Sequence, residues 1–512
     1  MEKNEMDILT QTLLESMNLT PEQWHELEHP ENRLVENAAI TDCIRFFDHA
    51  TQLMICGDYD CDGVMSTSLA VLLARKLNLD VGFYIPNRIE EGYGVKIETI
   101  QKAYDKGYRD LLIIDNGVKA QKEIDYAYEL GMNVAVIDHH IIDEPVRVGA
   151  FLHPDVCGPY EATMCATGLI YCLAETMGYA DDYMAAMAAT ATIADVMPLW
   201  GKNREIVIKG LDALNRNQFE HFDQLVKRTR STEYTAKLLS FQVIPKINTV
   251  GRMSDKSNVN TVVTYMTSQD HELITSYSKQ LISLNEYRKK YSKQQQTLAL
   301  SQVDSKQSVN IIAHENFHEG LVGIVANHIA QKTLKPTVVL AEYDTYYKGS
   351  ARSMTTSLQV LFESLDPKYF DGMGGHDFAY GMTVRKEYYA SFVSDIQNTF
   401  DALDEKTDTN QSIIPIDPAW ITQSAIHNLK SFEPYGEGFK LPMIQLDIPA
   451  DYRVTNLNGY GFKFIFDNYV LDEAVFFTQR YDRYQLNGIK SLVGSLDLES
   501  NKTVLFVEEI NS

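Results

Sequence analysis

Three carboxylates fall within five residues at Asp58-Tyr59-Asp60-Cys61-Asp62, followed by Gly63 and preceded by the apolar run Leu53–Cys56. Carboxylates this close repel one another and are tolerable chiefly where a cation or a rigid hydrogen-bond network neutralises them. A strand-to-helix turn that borrows Asp and Gly for its geometry accounts for one such Asp, not for three. Further acid and imidazole groups follow: Asp115-Asn116, Asp138-His139-His140, His153-Pro154-Asp155 and, after an Ala-rich segment, Asp195. Asp195 ends an expected helix, Asp182 to Thr192, where the helix dipole disfavours an anion. A cation partner explains it better than a chain break before Pro198.

Two other readings of the acidic run can be tested. An EF-hand calcium loop also begins D-x-D-x-D-G, but its twelfth position must be a bidentate Glu, and counted from Asp58 that position is Leu69. A haloacid-dehalogenase-like phosphatase places an Asp-x-Asp after a strand, and Asp60-Cys61-Asp62 leaves that reading open on these residues alone.

The elements that must position these groups read as a parallel α/β unit. Leu53–Cys56, Val81–Ile85, Leu111–Ile114, Asn133–Ile137 and Ala150–Leu152 are short apolar runs separated by helix-length segments, the first of them Ser66 to Leu77. They predict a mostly parallel sheet covered on both faces. All of these acidic and imidazole groups except Asp195 lie just past strand C-termini, the edge where such sheets bind ligands.

The rest of the chain extends this unit. Residues 1–50 read as an N-terminal helical cover and 51–265 as the catalytic lobe. Apolar residues at helical spacing from His271 to Val303 predict a long connecting helix within 266–304, spanning about 50 Å. A second, smaller α/β lobe is expected over 305–400 and a polar linker over Asp401–Ser412. A last domain is expected over 413–512, where from about Tyr452 the pattern turns to strands, Lys463–Phe466, Ala474–Thr478, Ser491–Leu496 and Val504–Val507; this suits a small five-stranded barrel of the oligonucleotide-binding sort, in which Tyr460, Phe462, Phe464, Tyr469, Phe476 and Phe477 could stack bases.

With 512 residues, 45% of them hydrophobic, the chain has material for two to four domains. No window of 18 apolar residues and no basic, apolar leader is present, so a soluble, cytoplasmic protein is expected. Six cysteines without a C-x-x-C pair read as reduced and mostly buried. The net charge of −24 argues against a nucleic-acid partner on its face. Locally the sign reverses: Leu225 to Lys256 carries seven basic residues (Lys227, Arg228, Arg230, Lys237, Lys246, Arg252, Lys256) against Glu233 and Asp255, or +5.

Taken together, these motifs resemble the DHH phosphoesterase superfamily and, within it, the RecJ family of single-strand-specific DNA exonucleases. Asp58 to Gly63 is similar to the family's first motif, Asp115-Asn116 to its second, Asp138-His139-His140 to the triplet that names it and Asp195 to its fourth. Asn248 to Arg252 is similar to RecJ's Asn-x-x-Gly-Arg, Gly374-Gly375-His376 to the signature of the DHH-associated domain, and Glu433 to Gly438 to the entry into the oligonucleotide-binding domain. There are departures. RecJ proteins usually carry small residues where this chain has Thr249 and Val250, an Asn where it has His153, a Gly-Gly-His-x-x-Ala-Ala-Gly pattern where it has Asp377 to Gly381, and an Asn where it has Phe439.

The resemblance implies two divalent cations, Mn²⁺ first and Mg²⁺ second, which suit carboxylate plus imidazole ligands. It implies that Asp60, Asp62, Asp115, His139 and Asp195 hold the pair with Asp115 between them, while Asp58, Asp138 and His140 supply outer ligation, orientation or proton transfer. Phosphate contacts would come from Asn248, Gly251 and Arg252, and from Ser350, Arg352, Ser353, Gly374, Gly375 and His376, in Gly- or Ser-flanked loops. The implied activity is hydrolysis of single-stranded DNA, 5′ to 3′, in repair or recombination. The implied protein is a monomer away from membranes, with a single-strand-binding protein or a helicase as a partner. The alternative is a phosphodiesterase of the same superfamily acting on short oligoribonucleotides or cyclic dinucleotides. The haloacid-dehalogenase reading falls, having no use for paired histidines after a later strand.

Overall fold

A computed structural model describes residues 6–29, 32–229, 232–403, 413–457, 461–478, 486–498 and 502–511. It divides into two compact units: Leu19–Glu286 with Phe432–Lys440, and Lys3–Asn18 with Tyr287–Ser431 and Leu441–Ser512.

The first unit is organised on a five-stranded sheet of β1 (Gln52–Cys56), β2 (Asp80–Tyr84), β3 (Asp110–Ile114), β4 (Asn133–Ile137) and β5 (Ala150–Leu152), in the order β2-β1-β3-β4-β5 and parallel throughout. The inner strands β1, β3 and β4 are apolar beyond their first residue because both faces are covered, with successive side chains going to opposite sides, whereas the edge strand β2 is only half-buried. Leu53, Ile55, Leu112, Ile114, Ala135 and Ile137 pack with the helices Ala38–His49, Cys61–Lys76, Ala166–Thr176 and Asp182–Ala194. Met54, Cys56, Leu111, Ile113, Val134 and Val136 pack with Ile97–Asp105 and Gln121–Glu129 on the other face. At the edge of the sheet away from the acidic motifs, buried Asp110 ties three strands, accepting from Thr51 N at 2.9 Å and from Asn133 Nδ2 at 2.8 Å.

The connecting helix runs His271–Leu300, 30 residues or about 45 Å. In the second unit β6 (Asn310–His314), β7 (Thr337–Glu342), β8 (Tyr346–Arg352), β9 (Phe370–His376) and β10 (Ala379–Arg385) form a sheet in the order β6-β7-β8-β10-β9, parallel only between β6 and β7. The helix Ile8–Ser16 also belongs to this unit, where Asn428 Nδ2 donates to Asp7 Oδ2 at 2.9 Å.

The C-terminal strands correct one expectation. β11 (Ile413–Pro415), β12 (Met443–Asp447), β13 (Arg453–Asn456), β14 (Gly461–Ile465), β15 (Glu473–Phe477), β16 (Ser491–Asp497) and β17 (Val504–Asn511) make one seven-stranded sheet in the order β11-β12-β16-β17-β15-β14-β13. Among the described residues β11 and β13 do not pair with each other, so the five-stranded closed barrel is not observed. The reading missed β11, β12 and β13, which at three to five residues are too short to show an alternation. Of the aromatics considered for base stacking, Phe462, Phe464 and Phe476 are buried and Phe477 is exposed. Tyr460 lies outside the described residues, and so does most of the expected linker, 404–412.

Removing the Asp110 carboxylate leaves Thr51 N and Asn133 Nδ2 without an acceptor far from the acidic motifs. Asp110→Ala should lower unfolding stability by about 1–3 kcal/mol in urea titration while leaving cation binding unchanged.

Candidate metal centre

The strand order reverses between β1 and β3, and the crevice beyond the strand C-termini at such a point is where open α/β sheets take ligands. The acidic loop after β1 and Asp115 after β3 both open onto it.

The helix after β1 starts at Cys61, earlier than the predicted Ser66, because Asp60 caps it: its Oδ1 accepts from Gly63 N at 3.0 Å. Asp62 therefore sits in the first helical turn and not in a loop. Gly63 is required by close packing, since a Cβ there would lie 2.5 Å from the Asp58 carbonyl carbon and oxygen. Buried Asp62 is oriented by the N-terminus of the helix Ala166–Thr176. Its Oδ1 accepts from Thr167 N at 2.9 Å and Thr167 Oγ1 at 2.6 Å, and its Oδ2 from Ala166 N at 2.8 Å.

Asp115 takes a left-handed backbone (φ +66°), uncommon for a residue with a side chain and characteristic of functional sites. Asp138 is held elsewhere: its Oδ2 accepts from Val118 N at 2.8 Å, and its Oδ1 lies 2.7 Å from His139 N and 2.8 Å from His140 Nδ1. His139 Nε2 lies 3.3 Å from Asp115 Oδ1, 3.3 Å from Asp195 Oδ2 and 3.7 Å from Asp62 Oδ2. Asp195 caps the C-terminus of Asp182–Ala194, as expected.

Three sets of donor atoms, each within 4.8 Å of one another, result: Asp58, Asp60 and Asp115; Asp62, His139 and Asp195; and Asp115, His139 and His140. Asp115 and His139 each belong to two sets. Asp138 belongs to none and orients His140 instead. Behind them, His153 Nε2 donates to the His140 carbonyl at 2.9 Å and its Nδ1 accepts from Asp155 N at 3.1 Å, while the Asp155 side chain is exposed and outside the cluster.

The electrostatics describe a cluster that the protein does not neutralise by itself. Burial, reinforced by neighbouring carboxylates, raises Asp58, Asp60 and Asp115 above the usual carboxylate range and pushes Asp195 up to about 8. Burial also lowers His139. Against burial, the Asp138–His140 contact holds His140 up to about 9 and Asp138 down to about 2. Asp58 Oδ1 and Asp115 Oδ1 are buried without a hydrogen-bond partner. Buried oxygens lacking donors, beside an imidazole, are what hard divalent cations such as Mn²⁺ or Mg²⁺ satisfy, so the residues fit such ions.

Arg252 is the last residue of the helix Ile244–Arg252 and not part of a loop. That helix lies against the acidic loop, for a Cβ on Gly251 would come within 2.5 Å of the Tyr59 carbonyl oxygen. Asn248 Oδ1 is buried with no hydrogen-bond partner. The basic stretch is partly answered internally, Arg228 by Asp223 at 3.1 Å and Lys256 by Asp255 at 3.1 Å; Arg230 lies outside the described residues.

In the second unit Arg352 ends β8 and His376 ends β9, so these too are strand residues and not loop residues. Both pair in register with Ala379 of β10 between them. Arg352 Nη1 donates to Ser350 Oγ at 2.7 Å, and the guanidinium lies over Gly323 in the first turn of the helix Val322–Thr333, where a Cβ would be 3.1 Å from Nη2. Ser353 is engaged otherwise, its Oγ accepting from Thr356 N at 3.0 Å. Gly374 is open, whereas Gly375 backs directly onto β10, a Cβ there falling 2.3 Å from Ala379 O.

Sequence reasoning missed Arg88, Tyr93 and Thr167. The Arg88 guanidinium stands 4.8 Å over the Tyr59 ring, and the Tyr93 ring is 6.4 Å from Tyr59 and 6.2 Å from His140. The Gly92-Tyr93-Gly94 loop follows β2 at the same edge, a signal that was available. Thr167 had none, its role being purely tertiary.

A model of the DHH family, N-terminal domain, matches residues 52–199, and one of the DHHA1 domain matches 295–405. The single-stranded-DNA-specific exonuclease RecJ of Bacillus subtilis is 31% identical over 75% of this chain and 50% of its own length. That of Haemophilus influenzae is 27% identical over 96% and 90%. This chain thus spans about half the length of the Bacillus relative it matches. A crystal structure of RecJ from Thermus thermophilus in complex with Mn²⁺ shares the fold, with a TM-score of 0.83 over 99% of this chain and 76% of that one at 21% identity. By these two domains the chain belongs to the DHH family, and the curated relatives it matches are RecJ proteins.

Thr167→Val removes one of the three donors to Asp62, and Gly63→Ala forces the Asp58 backbone away. Each should weaken Mn²⁺ binding about 10- to 100-fold, read by electron paramagnetic resonance of the free ion.

Proposed function

We propose that this chain is a divalent-cation-dependent exonuclease that hydrolyses single-stranded DNA from the 5′ end, in repair or recombination. The carrying observation is the sharing of Asp115 and His139 between donor sets at the switch point of the sheet, an arrangement suited to two neighbouring cations. Asp58, Asp60 and Asp115 would hold one, and Asp62, His139 and Asp195 the other. A bound pair of Mn²⁺ or Mg²⁺ ions lowers the pKa of a water and stabilises the attacking and leaving oxygens of an in-line displacement at phosphorus.

The chain's own residues do the remaining work. Asp138 fixes His140 through Nδ1, leaving Nε2 as the ring atom that can meet a phosphate oxygen. His153 braces the His140 backbone. Arg252 and Asn248 would take a backbone phosphate beside the acidic loop, the carboxamide oxygen of Asn248 accepting from a base or from water. In the second unit Arg352 and Ser350, set over a helix N-terminus, form a phosphate-holding group, with His376 two strands away. The RecJ relatives are single-stranded-DNA-specific exonucleases, which supports DNA as substrate. We further propose a cytoplasmic monomer that works with a single-strand-binding protein or a helicase; no helix among the described residues is long and apolar enough to cross a membrane.

Digestion of 5′- and 3′-labelled single strands beside duplex and RNA controls tests this reading. Mn²⁺-dependent loss of the 5′ label first, with duplex spared, is expected; release of nucleotides that survives EDTA sinks it. Asp115→Asn should cut turnover at least about 100-fold, since it weakens the residue shared by two donor sets. Arg252→Ala should reduce the log-log salt slope of single-strand binding by about 0.7, the contribution of one phosphate.

A further inference from the structure

We propose that the segment Phe432–Lys440 is a positioning clip for Asp195. It fixes the turn that carries this carboxylate, and so sets the affinity of the cation that Asp62, His139 and Asp195 would share. The inference rests on the reading of Asp195 as a cation-holding side chain and adds what holds it there.

Asp195, like Asp58 and Asp115, has little anchoring of its own. Asp62 accepts three hydrogen bonds from the chain, whereas the only polar contact of the Asp195 carboxylate among the described residues is His139 Nε2 at 3.3 Å. Its position therefore depends on its backbone. That backbone ends a helix and passes at once through Val196 in a left-handed conformation (φ +54°), which a β-branched residue keeps only where its surroundings enforce it.

The enforcement comes from the remote segment, which belongs to the same compact unit although more than 230 residues separate it in sequence. Leu199 N donates to Glu437 O at 2.8 Å, and Trp200 Nε1 to Gly438 O at 2.8 Å. Arg204, buried at the start of the next helix, donates to Phe432 O at 2.7 Å and Pro434 O at 3.0 Å. Phe439 is fully buried at the centre, with Trp200 at 4.8 Å, Tyr435 at 5.0 Å and the Arg204 guanidinium at 4.9 Å from its ring. Gly436 lets the segment close on Leu199, whose Cδ1 would be 2.6 Å from a Cβ there. From the other side Asn203 Nδ2 donates to Pro198 O at 3.1 Å. The turn is thus held at Pro198, Leu199 and Trp200, within five residues of the carboxylate.

The test uses the full chain. Mn²⁺ is titrated by electron paramagnetic resonance into the parent protein, Phe439→Asn and Trp200→Phe, and amide exchange of residues 195–200 is followed by mass spectrometry. Trp200→Phe keeps a ring and loses only the bond to Gly438, so it reads the same effect should Phe439→Asn not fold. The expected result is faster exchange in this turn and a roughly 10- to 100-fold loss of affinity for one Mn²⁺, with the other ion unaffected. Faster exchange with both affinities unchanged overturns the clip and leaves the proposed function standing. Equal weakening of both ions also overturns it, as the mark of a general structural role. A parent protein that binds no Mn²⁺ overturns both readings.

Discussion

The structure is built around an electrostatic conflict: six carboxylates and two imidazoles are gathered where one sheet edge meets the ends of three helices. At contact distances in a poorly solvated site such charges repel by several kcal/mol per pair, so the fold must relieve most of them locally. It does so unevenly. Asp62 receives a helix N-terminus, Asp60 caps a helix, and Asp138 is matched to His140 and Val118 N. Asp58, Asp115 and Asp195 receive far less, and they are the carboxylates driven furthest toward the protonated form. The unrelieved remainder defines where cations belong.

A parallel sheet makes this crowding tolerable because it is rigid and its polar edge is separate from its core. Alternate residues of β1, β3 and β4 supply two independent apolar layers. Their C-terminal ends can then carry groups that contribute nothing to burial. The left-handed Asp115 shows the cost, a backbone conformation unfavourable for Asp, held by Asp115 N donating to Ile137 O at 2.9 Å.

Legibility in the sequence followed the range of the interactions involved. The inner parallel strands were readable because burial on both faces leaves apolar runs, and the donors other than Asp195 were readable because each lies within a few residues of a strand end. Asp195 was readable because an acid at a helix C-terminus contradicts the dipole. What failed was of two kinds. Boundaries set by one side-chain bond were misplaced, as with the helix that Asp60 starts at Cys61. Long-range contacts were invisible: Thr167 on Asp62, Gly251 against Tyr59, and Phe439 against Trp200 and Arg204. In the C-terminal sheet β14 to β17 were readable, whereas β11 and β13, only three and four residues long, have no periodicity to read.

The formal charge of −24 looks hostile to a polyanion, yet it is a sum over a surface much larger than the Debye length, about 8 Å in physiological salt. What a phosphate meets is the charge within that radius. Two divalent ions would change the total only from −24 to −20, since −24 + 4 = −20. At the sheet edge the same four charges fall on the carboxylates that lack other relief, and they turn a region that repels phosphate into one that attracts it. In this protein the cations would thus act on binding as well as on chemistry. Arg352 works by the opposite route. It is partly withdrawn from water, which lowers its pKa, and has no carboxylate partner among the described residues. An incoming phosphate at Arg352 would restore the solvation that burial removed.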